Sequence, residues 1–213
     1  FGIQGQCGTN PIALAVPAGT EPPFVLDMAT SVTATGKIET LVRDGQEAPS
    51  DWILQADGAT GGDPAQFLHT LINSRMGGQL PLGGQGELAS GYKGYGLGLG
   101  IELLAPILAG DIASPFMQIR REGYEATIAH FFGAIRIDAF RPAAEFKADV
   151  DRILAHIKAS PRAPGSDRIW VAGEKEFVAL QERIELGIPL REPIIDELGH
   201  IARELDIEPV ESM

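Results

Sequence analysis

Cysteine is nearly absent from this sequence, since Cys7 is the only one among 213 residues. A single thiol cannot close a disulfide within the chain, which excludes the disulfide-rich scaffolds of small secreted proteins. Apolar residues also never continue for the ~18 positions that a membrane-spanning helix requires. The segment from Phe1 to Cys7 has neither the basic part nor the long apolar part of a signal peptide. We therefore predict a cytoplasmic protein with no membrane partner.

Positive charge is scarce as well. The sequence has 17 Lys and Arg residues against 29 Asp and Glu residues, which gives a formal net charge of −12 at pH 7. Such a chain repels phosphate backbones, so we predict no nucleic-acid partner. Hydrophobic residues make up 44% of the sequence, enough to form a sizeable core in one large domain or two small ones.

Glycine, in contrast, is abundant and is concentrated between Pro81 and Gly100. Eight of those twenty residues are glycine, and Lys93 lies among them directly before an apolar stretch. Glycine lets the backbone pass close to a ligand, and the first turn of a helix has unpaired N–H groups. A lysine at that point adds a positive charge. The segment therefore predicts a site for a phosphate-bearing cofactor.

The glycine spacing fits neither of the two common phosphate-binding motifs. Glycines alternate with larger residues from Gly94 to Gly100, whereas a Rossmann finger has the spacing G-x-G-x-x-G. A P-loop is excluded because Tyr92 separates the preceding glycines from Lys93. From residue chemistry alone, the alternative is a flexible loop followed by a helix that packs too tightly for any side chain.

Hydrophobic periodicity and turn residues predict an α/β chain in which strands and helices mix without a regular β–α–β repeat. The predicted strands are 12–16, 24–28, 52–55, 127–137 (a central strand) and 169–171. The predicted helices run from Thr30 or Ser31 to Arg43, and over 65–75, 94–108 (buried), 146–157, 174–186 and 194–205. We assign residues 1–140, with the glycine-rich loop 81–100, to a cofactor-binding core. Residues 141–213 form a C-terminal helical segment that completes the same fold.

Five short stretches stand out in order along the chain. They are Gly8–Pro11 (GTNP), Leu26–Ser31 (LDMATS), Gly36–Ile38 (GKI), Gly91–Leu97 (GYKGYGL), and Gly173–Glu176 (GEKE) with Gly187–Leu190 (GIPL). In this order and rough spacing they resemble the malate/L-lactate dehydrogenases of the second, non-Rossmann type, a family that includes ureidoglycolate dehydrogenases and cyclic imine reductases. Each stretch alone is a weak signal, whereas five in sequence are specific.

This resemblance implies a fold, a chemistry and an assembly. The implied fold is a non-Rossmann dinucleotide-binding fold of the α/β class, with a mixed, largely antiparallel sheet and packed helices. Members are NAD(P)-dependent oxidoreductases that interconvert 2-hydroxy and 2-oxo acids or reduce related substrates. The expected cofactor is therefore NAD or NADP. The expected partners are a small 2-oxo or 2-hydroxy acid and a second copy of the chain in a homodimer.

The resemblance also assigns roles to individual residues. It implies that Asp27, Met28, Ala29, Lys93, Ala172, Gly173 and Glu174 bind the cofactor, and that Thr9 and Lys37 bind the substrate. The Thr9 hydroxyl suits a carboxylate or carbonyl oxygen, and Lys93 has three donors for phosphate or ribose groups. Asp27, at a strand end, can accept hydrogen bonds from ribose hydroxyls or an amide. The alternatives are a turn-stabilising threonine, solvated lysines and an aspartate that caps the next helix.

The histidines of this chain do not form a catalytic centre. The resemblance implies that the family's proton-transferring histidine lies in an N-terminal portion that this chain does not contain. The four histidines here are His69, His130, His156 and His200, and none has the spacing of a metal cluster or a triad. We interpret His130, in an apolar run, as a core residue. Hydride transfer needs a positioned acid or base but no metal, so we predict none.

Lys37 bears on the substrate. The resemblance implies that the imine-reducing branch has an aspartate at this position, so the lysine favours malate-like or lactate-like substrates. The leading hypothesis is the cofactor-binding part of a 2-hydroxy-acid dehydrogenase, active together with its N-terminal portion. A cyclic-imine or ureidoglycolate-type oxidoreductase and a non-catalytic fragment or oligomerisation module are the alternatives. The sequence does not choose between NAD and NADP.

Overall fold

The computed structural model describes residues 2–116 and 128–209. The strands in these ranges are β1 (Ile12–Val16), β2 (Phe24–Met28), β3 (Ile53–Leu54) and β4 (Gly78–Gln79). The α-helices are α1 (Thr35–Asp44), α2 (Pro64–Ser74), α3 (Gly91–Glu102), α4 (Ala143–Lys158), α5 (Glu174–Leu186) and α6 (Glu192–Glu204). A π-helical turn, Leu103–Ile107, follows α3 directly, and short 3-10 turns span Ser114–Phe116 and Ile137–Ala139. This mixture is the α/β class that the sequence predicts.

The strands form two antiparallel pairs. β1 pairs with β2 so that Ile12 lies opposite Met28, and β3 pairs with β4 so that Ile53 lies opposite Gln79. The expected antiparallel pairing is confirmed, although the described strands form two small sheets and not one. The β1–β2 pair fixes the first part of the LDMATS stretch, because β2 ends at Met28 inside it.

The core of the described chain lies between α1, β3 and α2. Its largest fully buried side chains are Ile38, Ile53 and Phe67, one from each element, and they pack in one cluster. Burial of each such side chain contributes about 1.5–3 kcal/mol. Helix α2 starts close to the predicted position because the Asp63 carboxylate accepts hydrogen bonds from two N–H groups of the first turn. Pro64 follows it at the first helical position, where no N–H partner is needed.

Helix α3 packs through a face made almost entirely of glycine. Its buried residues are Gly91, Gly94, Gly98 and Glu102, at spacings that place them on one side of the helix. A Cβ atom at Gly98 would lie 2.9 Å from Thr30 Oγ1, and one at Gly94 would collide with the backbone of Leu82. The other sides of α3 expose Tyr92, Tyr95 and Leu97, and the π-helical turn that follows exposes Leu103 and Leu104. The prediction of a buried helix over 94–108 is therefore correct for the glycine face and wrong for the rest.

The start of α1 differs from the prediction. The sequence predicts a helix capped by Thr30 or Ser31, whereas α1 begins at Thr35 after Ala34, which makes no side-chain cap. The two hydroxyls are used elsewhere: Thr30 Oγ1 donates to the Thr9 carbonyl at 3.0 Å, and Ser31 Oγ donates to the Thr33 carbonyl at 2.7 Å. A cap-type residue therefore serves a long-range contact here, which sequence pattern cannot reveal.

Two predicted strands are wrong. Residues 128–136 and 169–171 contain no strand, and Thr127 lies outside the described residues. Ile128 is 83% exposed and Phe132 is 86% exposed, so this apolar run has no neighbouring strand among the described residues. His130 is also exposed and stacks on Phe132 with ring centroids 5.8 Å apart, which corrects its interpretation as a core residue. An apolar run becomes a strand only where a second strand supplies hydrogen-bond partners.

Helices α4, α5 and α6 confirm the predicted C-terminal helices, and α5 has the predicted bounds. Helix α4 is attached to the loop between β1 and β2, because the Asp151 carboxylate accepts hydrogen bonds from the N–H groups of Gly19, Thr20 and Glu21 at 2.9–3.1 Å. The N–H of Thr20 is the main cause that lowers the pKa of Asp151, with those of Gly19 and Glu21 adding to it. None of the helices in the described ranges has the length and apolar character needed to cross a membrane.

Candidate functional site

The end of β2 is the centre of the candidate site. The next residues continue as Ala29 and Thr30, and the Thr30 N–H donates to the Thr9 carbonyl at 2.8 Å. Thr30 Oγ1 donates to the same carbonyl and to the carbonyl of Asn10 at 3.1 Å. Thr30 is buried, so these bonds are shielded from water. The structure therefore brings the predicted substrate residue Thr9 next to the predicted cofactor stretch.

The beginning of the glycine-rich loop lies on the other side of the same stretch. The Leu82 N–H donates to the Thr30 carbonyl at 3.0 Å, and the Val32 N–H donates to the Leu80 carbonyl at 2.8 Å. Gly98 of α3 then packs against the Thr30 side chain. Residues 29–32 are thus held between the 9–10 turn and the 80–82 segment, with α3 lying across them.

Ala172 and Gly173 approach β2 from a third direction. The Ala172 carbonyl accepts a hydrogen bond from the Val25 N–H at 3.1 Å. Gly173 has φ +89°, and a Cβ atom on it would lie 2.9 Å from Val25 Cβ and 3.0 Å from the Val25 carbonyl oxygen. Both the backbone angle and the short distance require glycine. The predicted pair Ala172 and Gly173 therefore lies against the strand that carries Asp27 and Met28.

The Glu174 side chain points into an ion-pair network. Its buried carboxylate accepts hydrogen bonds from Arg168 at 2.5 Å, from the Val171 N–H at 3.3 Å and from Lys158 at 3.5 Å. Burial acts to raise the pKa of Glu174, but the Val171 N–H, Arg168 and Lys158 outweigh it, and the pKa lies below its usual value. The side chain holds the 171–174 turn in place, and the backbone of the turn remains the part that faces β2.

Lys158, at the end of α4, links this turn to the β1–β2 loop. Its Nζ lies 2.5 Å from Glu21 Oε2 and 3.5 Å from Glu174 Oε1. The hydrogen bond with Glu21 is the main cause that raises the pKa of Lys158. Sequence reasoning missed this residue, because its two partners lie far from it along the chain. A small cleft bordered by Lys158, Pro22 and Ala172 lies beside the network.

The two predicted lysines are both exposed. Lys93 lies in the first turn of α3, after Ser90, which has φ +63° and makes no side-chain cap. The Nζ of Lys93 is 5.9 Å from the ring centre of Tyr92. Lys37 lies in the first turn of α1, and the contacts of the described residues do not join it to Thr9. Lys93 thus has the expected place at a helix start, whereas the role of Lys37 has no supporting contact.

Glu102 is a residue of this region that sequence reasoning missed. It is only 3% exposed, and its Oε2 accepts a hydrogen bond from Asn10 Nδ2 at 2.8 Å. The backbone N–H of Ser114 donates to the other oxygen at 2.5 Å. The signal was present in the sequence, because Glu102 is the only charged residue between Lys93 and Asp111. A lone charge in an apolar helix needs a buried partner.

Comparison with known proteins shows the family of the chain. The family described as malate/L-lactate dehydrogenase matches residues 1–199. The chain belongs to this family. It is 40% identical over 210 residues to a malate dehydrogenase of Pyrococcus abyssi, covering 99% of the chain and 56% of the relative. It is 34% identical over 206 residues to an L-sulfolactate dehydrogenase of Methanocaldococcus jannaschii, covering 97% and 55%.

Solved structures of the family confirm the predicted fold. The malate dehydrogenase of Entamoeba histolytica superposes with a TM-score of 0.87 at 30% identity, covering 96% of this chain and 56% of that one. The malate dehydrogenase of Pyrococcus horikoshii OT3 superposes with a TM-score of 0.79 at 37% identity, covering 98% and 54%. The chain spans about half the length of the relatives it matches.

Proposed function

We propose that this chain is the cofactor-binding part of an NAD(P)-dependent oxidoreductase. The reaction is hydride transfer between nicotinamide and C2 of a malate-like or lactate-like 2-hydroxy or 2-oxo acid. The observation that carries the proposal is that three predicted segments lie against β2 and the residues that follow it. Thr9 is joined to Thr30, Ala172 is joined to Val25, and the start of the glycine-rich loop is joined to Thr30.

The residues present fit a dinucleotide. Gly173 lets the backbone of the 172–173 turn lie directly against Val25, which holds this predicted cofactor segment on β2. Asp27 is exposed and accepts hydrogen bonds from ribose hydroxyls. Lys93 is exposed in the first turn of α3, where its charge and the helix dipole attract phosphate. When bound, the nicotinamide supplies or accepts the hydride, and these residues hold it.

The substrate residues act on the acid. Thr9 offers a hydroxyl to a carboxylate or carbonyl oxygen, and its main chain is fixed by Thr30. Lys37 is the candidate for neutralising a second anionic group, such as the second carboxylate of malate or the sulfonate of sulfolactate. Malate and sulfolactate dehydrogenases are among the relatives. In this proposal the proton is transferred by a histidine from the part of the family's length that these 213 residues do not cover.

The domain roles and assembly are part of the same proposal. Residues 1–140 form the cofactor-binding core, and residues 141–213 complete it, since α4 holds the β1–β2 loop through Asp151 and the 171–174 turn through Lys158. The active protein is a cytoplasmic homodimer that needs no metal. Native mass spectrometry measures the dimer directly, and a monomer at micromolar concentration would contradict it.

The test uses the product of the complete reading frame. Oxidation of NADH and of NADPH is followed by absorbance with oxaloacetate, pyruvate and sulfopyruvate. Turnover of at least one of these acids with one nucleotide supports the proposal and assigns both substrate and cofactor. Failure to bind either nucleotide would leave the non-catalytic fragment or oligomerisation module as the better description.

A second candidate activity, cyclic-imine reduction, is favoured by one comparison. The chain is 38% identical over 143 residues, 67% of its length, to a Delta(1)-pyrroline-2-carboxylate reductase of Agrobacterium fabrum. The same assay with Δ1-pyrroline-2-carboxylate distinguishes the two activities. Faster turnover of the cyclic imine than of every 2-oxo acid would select the imine reductase, whereas Lys37 leads us to expect the opposite.

A further inference from the structure

Glu102 is a buried carboxylate at the last α-helical position of α3, where the chain continues into the π-helical turn. Its side of the helix otherwise consists of glycines. Burying a charge is costly unless hydrogen bonds compensate it. A carboxylate in this position therefore indicates a contact that an apolar residue could not make.

Three hydrogen bonds hold the Glu102 carboxylate. Oε2 accepts from Asn10 Nδ2 at 2.8 Å and from Ser114 Oγ at 3.0 Å, and Oε1 accepts from the Ser114 N–H at 2.5 Å. Asn10 Nδ2 also donates to the Gly98 carbonyl at 2.9 Å. One carboxylate thus attaches α3 to the 114–116 turn and to the GTNP turn.

The GTNP turn needs such an attachment. Asn10 has φ +37°, in the left-handed region that side-chain-bearing residues seldom adopt. The bonds from its side chain to Glu102 and Gly98 hold this conformation, while its carbonyl and that of Thr9 both accept from Thr30 Oγ1. The conformation of Asn10 determines where Thr9 lies, because the two residues are consecutive.

We propose that Glu102 is a positioning residue that fixes the substrate-binding turn 8–11 through Asn10. It does not touch substrate or cofactor; it sets the place of Thr9 relative to the β2 end. This inference rests on the proposed function, because it takes Thr9 as a substrate contact. It goes beyond the proposed function because it gives Glu102, in the helix that carries Lys93, a role in substrate affinity.

An amide cannot replace this carboxylate. The Asn10 amide and the Ser114 N–H donate to different oxygens of Glu102. In the Glu102→Gln variant, whichever way the amide is turned, its NH₂ group faces one of these two donors. The variant keeps the size of the side chain and loses one of the two attachments. The Ser114 donor is a backbone N–H that cannot rotate, so the amide oxygen of the variant stays with it and the Asn10 attachment is the one lost.

The experiment compares Glu102→Gln, Asn10→Gly and the double variant in the product of the complete reading frame. Glycine at position 10 tolerates the left-handed backbone, so Asn10→Gly removes the attachment without adding strain. It also serves as the independent test if Glu102→Gln does not fold. Glu182→Gln, at an exposed position of α5, is the matched control. The readouts are the KM for oxaloacetate and the Kd for NADH.

We expect each single variant to raise the KM for oxaloacetate about tenfold, as for loss of one buried hydrogen bond to a charged group. The Kd for NADH changes less than about twofold, because neither side chain lies at the cofactor residues. The double variant is no worse than the poorer single variant. Three results would each overturn the positioning role. The first is a rise in KM in the double variant equal to the product of the two single rises. The second is a rise in the Kd for NADH as large as the rise in KM, and the third is an unchanged KM in the single variants. Absence of turnover of oxaloacetate, pyruvate and sulfopyruvate in the wild type would instead overturn the proposed function.

Discussion

The N–H of Val25 donates to the carbonyl of Ala172 at 3.1 Å, and this single bond joins residues that are far apart in the sequence. It places the GEKE stretch against the strand that leads to LDMATS. Gly173 then follows with a backbone angle and a distance to Val25 that only glycine allows. The structure of the candidate cofactor site depends on this contact, and it can be tested by adding one methyl group.

We expect Gly173→Ala to weaken nucleotide binding and to destabilise the protein by about 1–3 kcal/mol. The added Cβ atom would meet Val25 at 2.9 Å and would also strain φ +89°. Gly165→Ala is the matched control, because Gly165 has φ +83° and no neighbour within 4 Å of the added atom. Urea unfolding and NADH titration of both variants separate close contact from backbone strain. Equal losses in the two variants would show that the contact with Val25 is unimportant.

Acid stability should depend on Asp151 and Glu174. The folded-state pKa of each lies below its ordinary value of 3.8 or 4.5. A lowered pKa stabilises the folded state above the ordinary value, and the stabilisation is lost as the pH falls through the folded value. We therefore expect the wild type to lose stability steeply as the pH falls below about 4.

The variants Asp151→Asn and Glu174→Gln test this expectation. Each should be less stable than the wild type at pH 7 and should show a shallower decrease in melting temperature on acidification. Asp196→Asn, at an exposed position of α6, is the control and should follow the wild-type curve. Parallel curves for the wild type and Asp151→Asn would mean that the bonds from Gly19, Thr20 and Glu21 to Asp151 do not influence acid stability.

Local patterns predicted some elements well. Strands 12–16 and 24–28 and helix 174–186 have the predicted bounds, because apolar spacing and neighbouring turn residues define them. The start of α1 could not be predicted, since the hydroxyl of Thr30 bonds to Thr9 and Asn10 instead of to a helix. The strand predicted over 127–137 is absent from the described residues 128–136, since strand formation depends on a partner that the sequence of the run does not specify.

In the candidate site, too, the sequence predicted some residues and missed others. Motif resemblance predicted Thr9, Ala29, Ala172 and Gly173. The structure joins Thr9 to Thr30, which follows Ala29, and joins Ala172 to Val25 near the start of β2. Motif resemblance did not find Glu102, whose partner Asn10 is 92 positions away. It also did not show that the Glu174 side chain is held by Arg168 and Lys158. Pairings across such separations exist only after the chain has folded.

Lys93→Met should weaken NADH binding about tenfold at low ionic strength, as for loss of one charge-assisted hydrogen bond. The lysine is exposed at the start of α3, where phosphate groups are favoured. Added salt should reduce the difference between wild type and variant, because salt screens exposed charges. Lys147→Met on α4, which lies outside the candidate site, is the control. A salt-independent loss of affinity would indicate that Lys93 acts through packing and not through charge.

Two glycines of α3 provide a test, because alanine is expected to stabilise the protein at one position and to destabilise it at the other. Gly98→Ala would place a Cβ atom 2.9 Å from Thr30 Oγ1, so it should separate α3 from the site and destabilise the protein by about 1–3 kcal/mol. Gly96→Ala adds an atom with nothing within 4 Å, and alanine is a better helix former by about 1 kcal/mol. Gly96→Ala should therefore raise the melting temperature and leave the Kd for NADH unchanged. Gly98→Ala should lower the melting temperature and raise the Kd for NADH. If both substitutions stabilise the protein, the glycine face of α3 does not pack on Thr30 as described.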